Sequence, residues 1–200
     1  MKNVTPKHFK FSGREIFDLF KAWVALTIAF SITRAFRADS FESFVVAAIS
    51  SAVAVGLAFL LHEIAHKYVA IKYRCEAEFR AENSMLLMMI FISFMGIIMA
   101  APGAVQIRGH ISRSQYGKIS LAGPASNIAL AVLSFLVIIL SSGLVSTIAS
   151  FSFFINSWLA LFNMIPFGMF DGRKIMAWDK QVYYVTLGIA ITFVALSQFF

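Results

Sequence analysis

The sequence predicts an all-α membrane protein: a multi-pass helical bundle of five to six transmembrane segments, with one short strand-containing segment that does not cross. Three observations predict it. Hydrophobic residues make up 60% of the 200-residue chain and charged residues 14%, against roughly half and a quarter in soluble domains. The apolar residues gather into six stretches, most of them reaching the ~20 residues that a spanning helix needs. The polar pieces between them are basic, giving a net charge of +7, as loops beside a membrane are.

The first piece, Met1–Arg14, is polar and basic, and the apolar stretch Ile16–Phe36 that follows is too long for a cleavable signal core, so it reads as a first anchor. Phe41–His66 is the second stretch, followed by the polar piece Lys67–Asn83. Ser84–Ile107 is the third. It carries Gly96, Pro102 and Gly103, which favour a bend or a strand over one straight helix, and Ala104–Ile107 is a candidate strand. After Arg108–Lys118 come Ile119–Leu140, Val145–Phe170 and, beyond Asp171–Gln181, Val182–Phe200. The chain reads as one domain over residues 1–200, with a polar cytoplasmic segment at 1–15.

Loop charge sets the orientation, because cytoplasmic loops concentrate Lys and Arg. If all six stretches cross and the N-terminus is cytoplasmic, nine basic residues face the cytoplasm and eight face away, which is no bias. If the third stretch enters and returns, or lies on the surface, Arg108, Arg113, Lys118, Arg173, Lys174 and Lys180 join the cytoplasmic side. Only Arg34 and Arg37 then remain outside, a ratio of fifteen to two. Five crossings plus one non-crossing segment is the expectation. Basic residues distributed in this way, without interleaved aromatics on a patch, argue against nucleic acid as a partner and for the lipid bilayer. A single cysteine, Cys75, excludes an intramolecular disulfide.

The second stretch ends in His62-Glu63-Ile64-Ala65-His66. Positions i and i+4 share a helix face, so both imidazoles can reach one metal ion, with Glu63 beside them as general base toward an attacking water. The same pattern arises by chance on soluble helices, where the side chains face water. Ionisable groups at the end of a membrane run are costly and by default functional. A catalytic zinc takes three protein ligands, and the third candidate is Asp171, weighed against a plain Asp-Gly opening a polar loop. With five crossings, the ends of the second and fifth stretches lie on one face, and His62, His66 and Asp171 share a depth. With six they lie a bilayer apart.

Gly123-Pro124-Ala125-Ser126-Asn127 allows close helix approach and places an amide at shallow depth. Asn127 can donate to a developing oxyanion or hold the substrate backbone, or it can make an ordinary interhelical hydrogen bond. Pro166 should break the helix before Asp171 and aim its carboxylate, with Asn163 satisfying the carbonyls so freed. His8 and His110 lie in basic segments and read as solvated. Cys75 sits among charged residues and is not a ligand candidate, and Met85, Met88, Met89, Met95 and Met99 read as packing.

These three blocks, His62-Glu63-Ile64-Ala65-His66, Gly123 to Asn127 and Asn163 to Gly172, together resemble the site-2 protease family of intramembrane zinc metalloproteases, in its compact core form and over roughly Phe41 to Lys174. The resemblance implies one zinc per chain held by His62, His66 and Asp171, with Glu63 as the base and Asn127 near the substrate. It implies a site toward the cytoplasmic side of the cell membrane, and membrane-spanning segments of other proteins as substrates in regulated intramembrane proteolysis. It likens the non-crossing segment to the family's strand-containing region between its metal-binding helices. The chain departs from the pattern of many members, with two prolines and two glycines around the Asp, in having Phe167-Gly168 after Pro166 and only Gly172 after Asp171. Two alternatives from other classes are a metal or proton transporter, which intramembrane His, Glu and Asp also build, and a catalytically silent membrane chaperone of the same fold.

Overall fold

The computed structural model describes residues 9–35, 40–96 and 102–200. Expectations that concern residues 1–8, Arg37 and Met99, His8 among them, lie outside the described residues. Among the described residues, seven α-helices and a two-stranded antiparallel sheet follow in the order α1 (Gly13–Ala35), α2 (Phe41–Lys72), β1 (Glu76–Ala81), α3 (Asn83–Ser93), β2 (Gly103–Arg108), α4 (Arg113–Leu140), α5 (Gly143–Asn163), α6 (Asp171–Trp178) and α7 (Lys180–Leu196), with a closing 3₁₀ turn at Ser197–Phe199. Five of the helices, α1, α2, α4, α5 and α7 with its turn, are long and apolar enough to cross a membrane. At 1.5 Å per residue the 11 residues of α3 extend only about 16 Å, half a hydrocarbon core. The chain is therefore a multi-pass helical membrane protein in which the third apolar stretch is broken into a short helix and a strand.

Four features of the sequence-based picture change. The segment Lys67–Asn83 is no simple polar loop: α2 runs on to Lys72, Arg74 turns the chain with φ 61°, and Glu76–Ala81 forms β1. Cys75, expected among solvated charges, is buried, packed with Ala70 and Ile119. Beyond the fifth stretch, Asp171 opens a further short helix rather than a loop. Among the methionines, Met89 is in the core while Met88 and Met95 are exposed.

The core explains where α2 points its polar residues. Leu19, Ala22, Leu26, Ala29 and Phe30 of α1 meet Ala54, Val55, Ala58 and Phe59 of α2, and Ile155 and Leu159 of α5 close the cluster. Along α2 the buried positions include Ser51, Ala54, Val55, Ala58, Phe59, His62, Glu63, His66, Lys67 and Ala70. That is one stripe at helical spacing. The stripe that packs α2 into the bundle thus carries both histidines inward. At its end Lys67 is buried against Glu15 of α1, whose other oxygen accepts from Phe79 N at 3.0 Å.

The sheet has two unlike edges. The register pairs Phe79 with Val105 and Ala77 with Ile107. Phe79 N points out to Glu15, so this pair belongs to the non-hydrogen-bonded set. By alternation Gly103, Val105 and Ile107 also turn their N–H and C=O groups outward, away from β1. On the outer edge of β1, Phe79 N donates to Glu15, and α1 packs against the strand. No hydrogen bond closes the outer edge of β2 among the described residues.

Candidate metal centre

His62, His66 and Asp171 are each buried, and one ligand atom from each lies within 4.8 Å of the others. Asp171 Oδ2 is 3.0 Å from His66 Nε2 and 3.4 Å from His62 Nε2, and the two Nε2 atoms are 3.0 Å apart. The i, i+4 pair comes from the inward stripe of α2. Asp171 is delivered by the end of α5: Pro166 cannot continue a helix, the chain turns through Ile165–Phe170, and α6 starts at Asp171. Tyr183 of α7 braces the turn by donating to Met164 O at 3.0 Å. Gly172 lets α6 lie against that same carbonyl, where a Cβ would collide. Asn163 does not take the carbonyl freed by Pro166. It donates to Leu159 O at 2.9 Å, while Ile165 N serves Phe162 O.

The donor set fits a cation. His66 Nδ1 lies 2.7 Å from Ile119 O, which can only accept, so the ring proton sits on Nδ1 and Nε2 presents its lone pair. His62 Nδ1 lies 2.6 Å from Asn127 Oδ1, with the same consequence. Two lone pairs and a carboxylate oxygen then converge in a buried space, an arrangement that repels itself unless a positive charge lies among them. Two imidazoles and one carboxylate suit zinc with a position left open. Gly123 of α4 makes the space, because a Cβ there would fall on His66 Nε2 and the His62 ring.

Lys174 Nζ, one turn along α6, holds Asp171 Oδ1 at 3.2 Å and leaves Oδ2 to the imidazoles. Glu63 is buried beside the histidines, and its Oε2 has no hydrogen-bond partner among the described residues. It opens on a cavity of about 70 Å³, room for several waters, bounded also by Val105, Ile107, Tyr116, Asn163 and Lys174. His110 is exposed and does not line this cavity.

Asn127 is wholly buried, and its carboxamide is committed: Oδ1 to His62, and Nδ2 to Ala58 O and to Asn156 Oδ1, each at 3.1 Å. No amide proton is left for an oxyanion. The structure thus gives Asn127 the interhelical hydrogen bonds that the sequence left open as an alternative. Sequence reasoning passed over Lys174, Asn156 and Tyr116. Lys174 was legible as the i+3 neighbour of Asp171, and Asn156 as a lone amide inside an apolar stretch, whereas nothing in the sequence places Tyr116 at the cavity.

Comparison with known proteins gives one informative relative. Over 181 residues, 88% of this chain and 91% of the other, the sequence is 38% identical to a protein of Methanocaldococcus jannaschii whose provisional name is zinc metalloprotease. No family model and no solved structure matches the chain.

Proposed function

The chain belongs to the zinc metalloprotease family of that archaeal relative, and from this premise we propose that it is a zinc-dependent intramembrane endopeptidase acting on membrane-spanning segments of other proteins. The observation that carries the reading is the convergence of His62, His66 and Asp171 beside the unpartnered oxygen of Glu63, inside a bundle with five helices able to span a membrane.

His62 Nε2, His66 Nε2 and Asp171 Oδ2 would hold one zinc ion. When bound, zinc supplies the Lewis acidity that brings water's pKa toward about 7 and polarises a peptide carbonyl. Glu63 takes a proton from the attacking water as its oxygen bonds the carbonyl carbon. As the C–N bond breaks, Glu63 hands that proton to the leaving nitrogen. Lys174 fixes Asp171 through Oδ1. The outward groups of Gly103, Val105 and Ile107 hold the unwound substrate as an added strand at the cavity mouth. Lys174 lines the cavity, which His62 and His66 place toward the C-terminal end of α2, and the loop-charge bias favours the cytoplasmic side for that end.

Glu63→Gln tests the reading. The variant should retain one equivalent of zinc and lose cleavage of a model membrane peptide by about 10²–10⁴-fold, the usual weight of a general base. Retained proteolysis would remove Glu63 from the mechanism.

A further inference from the structure

A buried polar chain crosses three helices behind the metal centre. From it we propose that Asn156 on α5 and Asn127 on α4 form a positioning relay that fixes the tautomer of His62 on α2 and so keeps its Nε2 open to the metal.

An amide's oxygen and nitrogen are told apart by their partners. Here two backbone carbonyls, which can only accept, decide both amides. Asn156 Nδ2 lies 2.9 Å from Ser152 O, so its nitrogen must face that carbonyl and its Oδ1 faces α4. Asn127 Nδ2 then donates one proton to Asn156 Oδ1 and the other to Ala58 O. Its Oδ1 is left facing His62 Nδ1 at 2.6 Å, where it accepts. His62 must carry its proton on Nδ1, and Nε2 presents a lone pair toward Asp171 and His66.

A flipped Asn127 would set an N–H against His62 Nδ1 and move the ring proton to Nε2, onto the face where the cation binds. The relay makes that flip costly, because it would set the Asn127 oxygen against Ala58 O and Asn156 Oδ1 in a site without water to compensate. Both amides are at most 1% exposed. Ser134 Oγ extends the chain to Ser152 Oγ at 2.9 Å. His66 needs no such device, since Ile119 O fixes it directly. His62 is the ligand whose protonation pattern depends on side chains two helices away.

The inference rests on the metal-site reading, and the experiment separates the two. Zinc affinity of the full chain in detergent is measured by chelator competition for wild type, Asn127→Leu and Asn156→Leu, with helicity and elution volume reporting the fold. Wild type without a stoichiometric zinc would overturn the metal site itself. With wild type loaded, Asn127→Leu and Asn156→Leu should each bind about 10- to 100-fold more weakly, the usual effect of losing an outer-sphere partner. Cobalt-substituted protein should show an altered visible spectrum in the Leu variants alone. Wild-type affinity and spectrum in both Leu variants would overturn the relay and leave the metal site standing. Should those variants fail to fold, the wild type decides. ¹⁵N-histidine spectra of the metal-free chain, with His62 assigned by its loss in His62→Gln, should show the proton on Nδ1. A proton on Nε2 would overturn the relay.

Discussion

At the residue scale the metal centre depends as much on what is missing as on what is present. Gly123 contributes no atom beyond its backbone, yet a methyl group there would occupy the space between the two imidazoles. Gly123→Ala should therefore abolish zinc binding in a protein that still inserts and folds, as metal analysis of the purified variant would show. A variant with full zinc would disprove the cradle. Acidification gives a second test. Histidine and carboxylate donors bind a cation only when deprotonated, so zinc affinity should fall as the medium is acidified. Chelator competition at falling pH would measure it, and a flat profile would exclude the site. The His62–His66 pair was legible because i, i+4 spacing coincided with the end of an apolar run. Asn127 was legible as a polar group at depth but its partner was not, because the choice between His62 and a substrate is made by helix packing that no local pattern records.

At the element scale the sheet offers the sharpest distinction. Val105 turns its N–H away from β1, whereas Gln106, paired with Glu78, belongs to the hydrogen-bonded set. Proline removes one N–H in either place. Val105→Pro should leave the fold and zinc content intact and raise KM for a membrane peptide by about tenfold, the weight of one backbone hydrogen bond. Gln106→Pro should instead loosen the β1–β2 pair and lower thermal stability. Equal effects of the two on stability, with KM unmoved, would remove β2 as the substrate's strand partner. Strand β1 was passed over although Glu76-Ala77-Glu78-Phe79-Arg80-Ala81 alternates in polarity, the period of a half-buried strand. Its charges drew attention to solvent, yet Phe79 sits in the core, 1% exposed. Helix α6 was missed for a different reason: it has only eight residues and opens on the polar run Asp171-Gly172-Arg173-Lys174, and tertiary contacts with Met164 rather than propensity place it.

At the scale of the whole molecule, charge and metal geometry select one topology. Fifteen basic residues against two required the third apolar stretch not to cross, and the 11-residue α3 followed by β2 is the physical form of that requirement. In a Cys75→Ser background, cysteines placed at Ser84 and Ser114 should react with an impermeant maleimide from the same side of a vesicle, and a cysteine at Ser142 from the other. Labelling of Ser84 and Ser114 positions from opposite sides would break the topology and, with it, the shared depth of Asp171 and the histidines. The unlike edges of the sheet also bear on how the molecule meets competing peptides. With one flank covered by α1 and Glu15, the ribbon offers a single berth to the proposed substrate strand. If the open edge holds substrate, two guests should not dock side by side, so an uncleavable peptide that settles there should shut out every other, and raising the concentration of a true substrate should displace it.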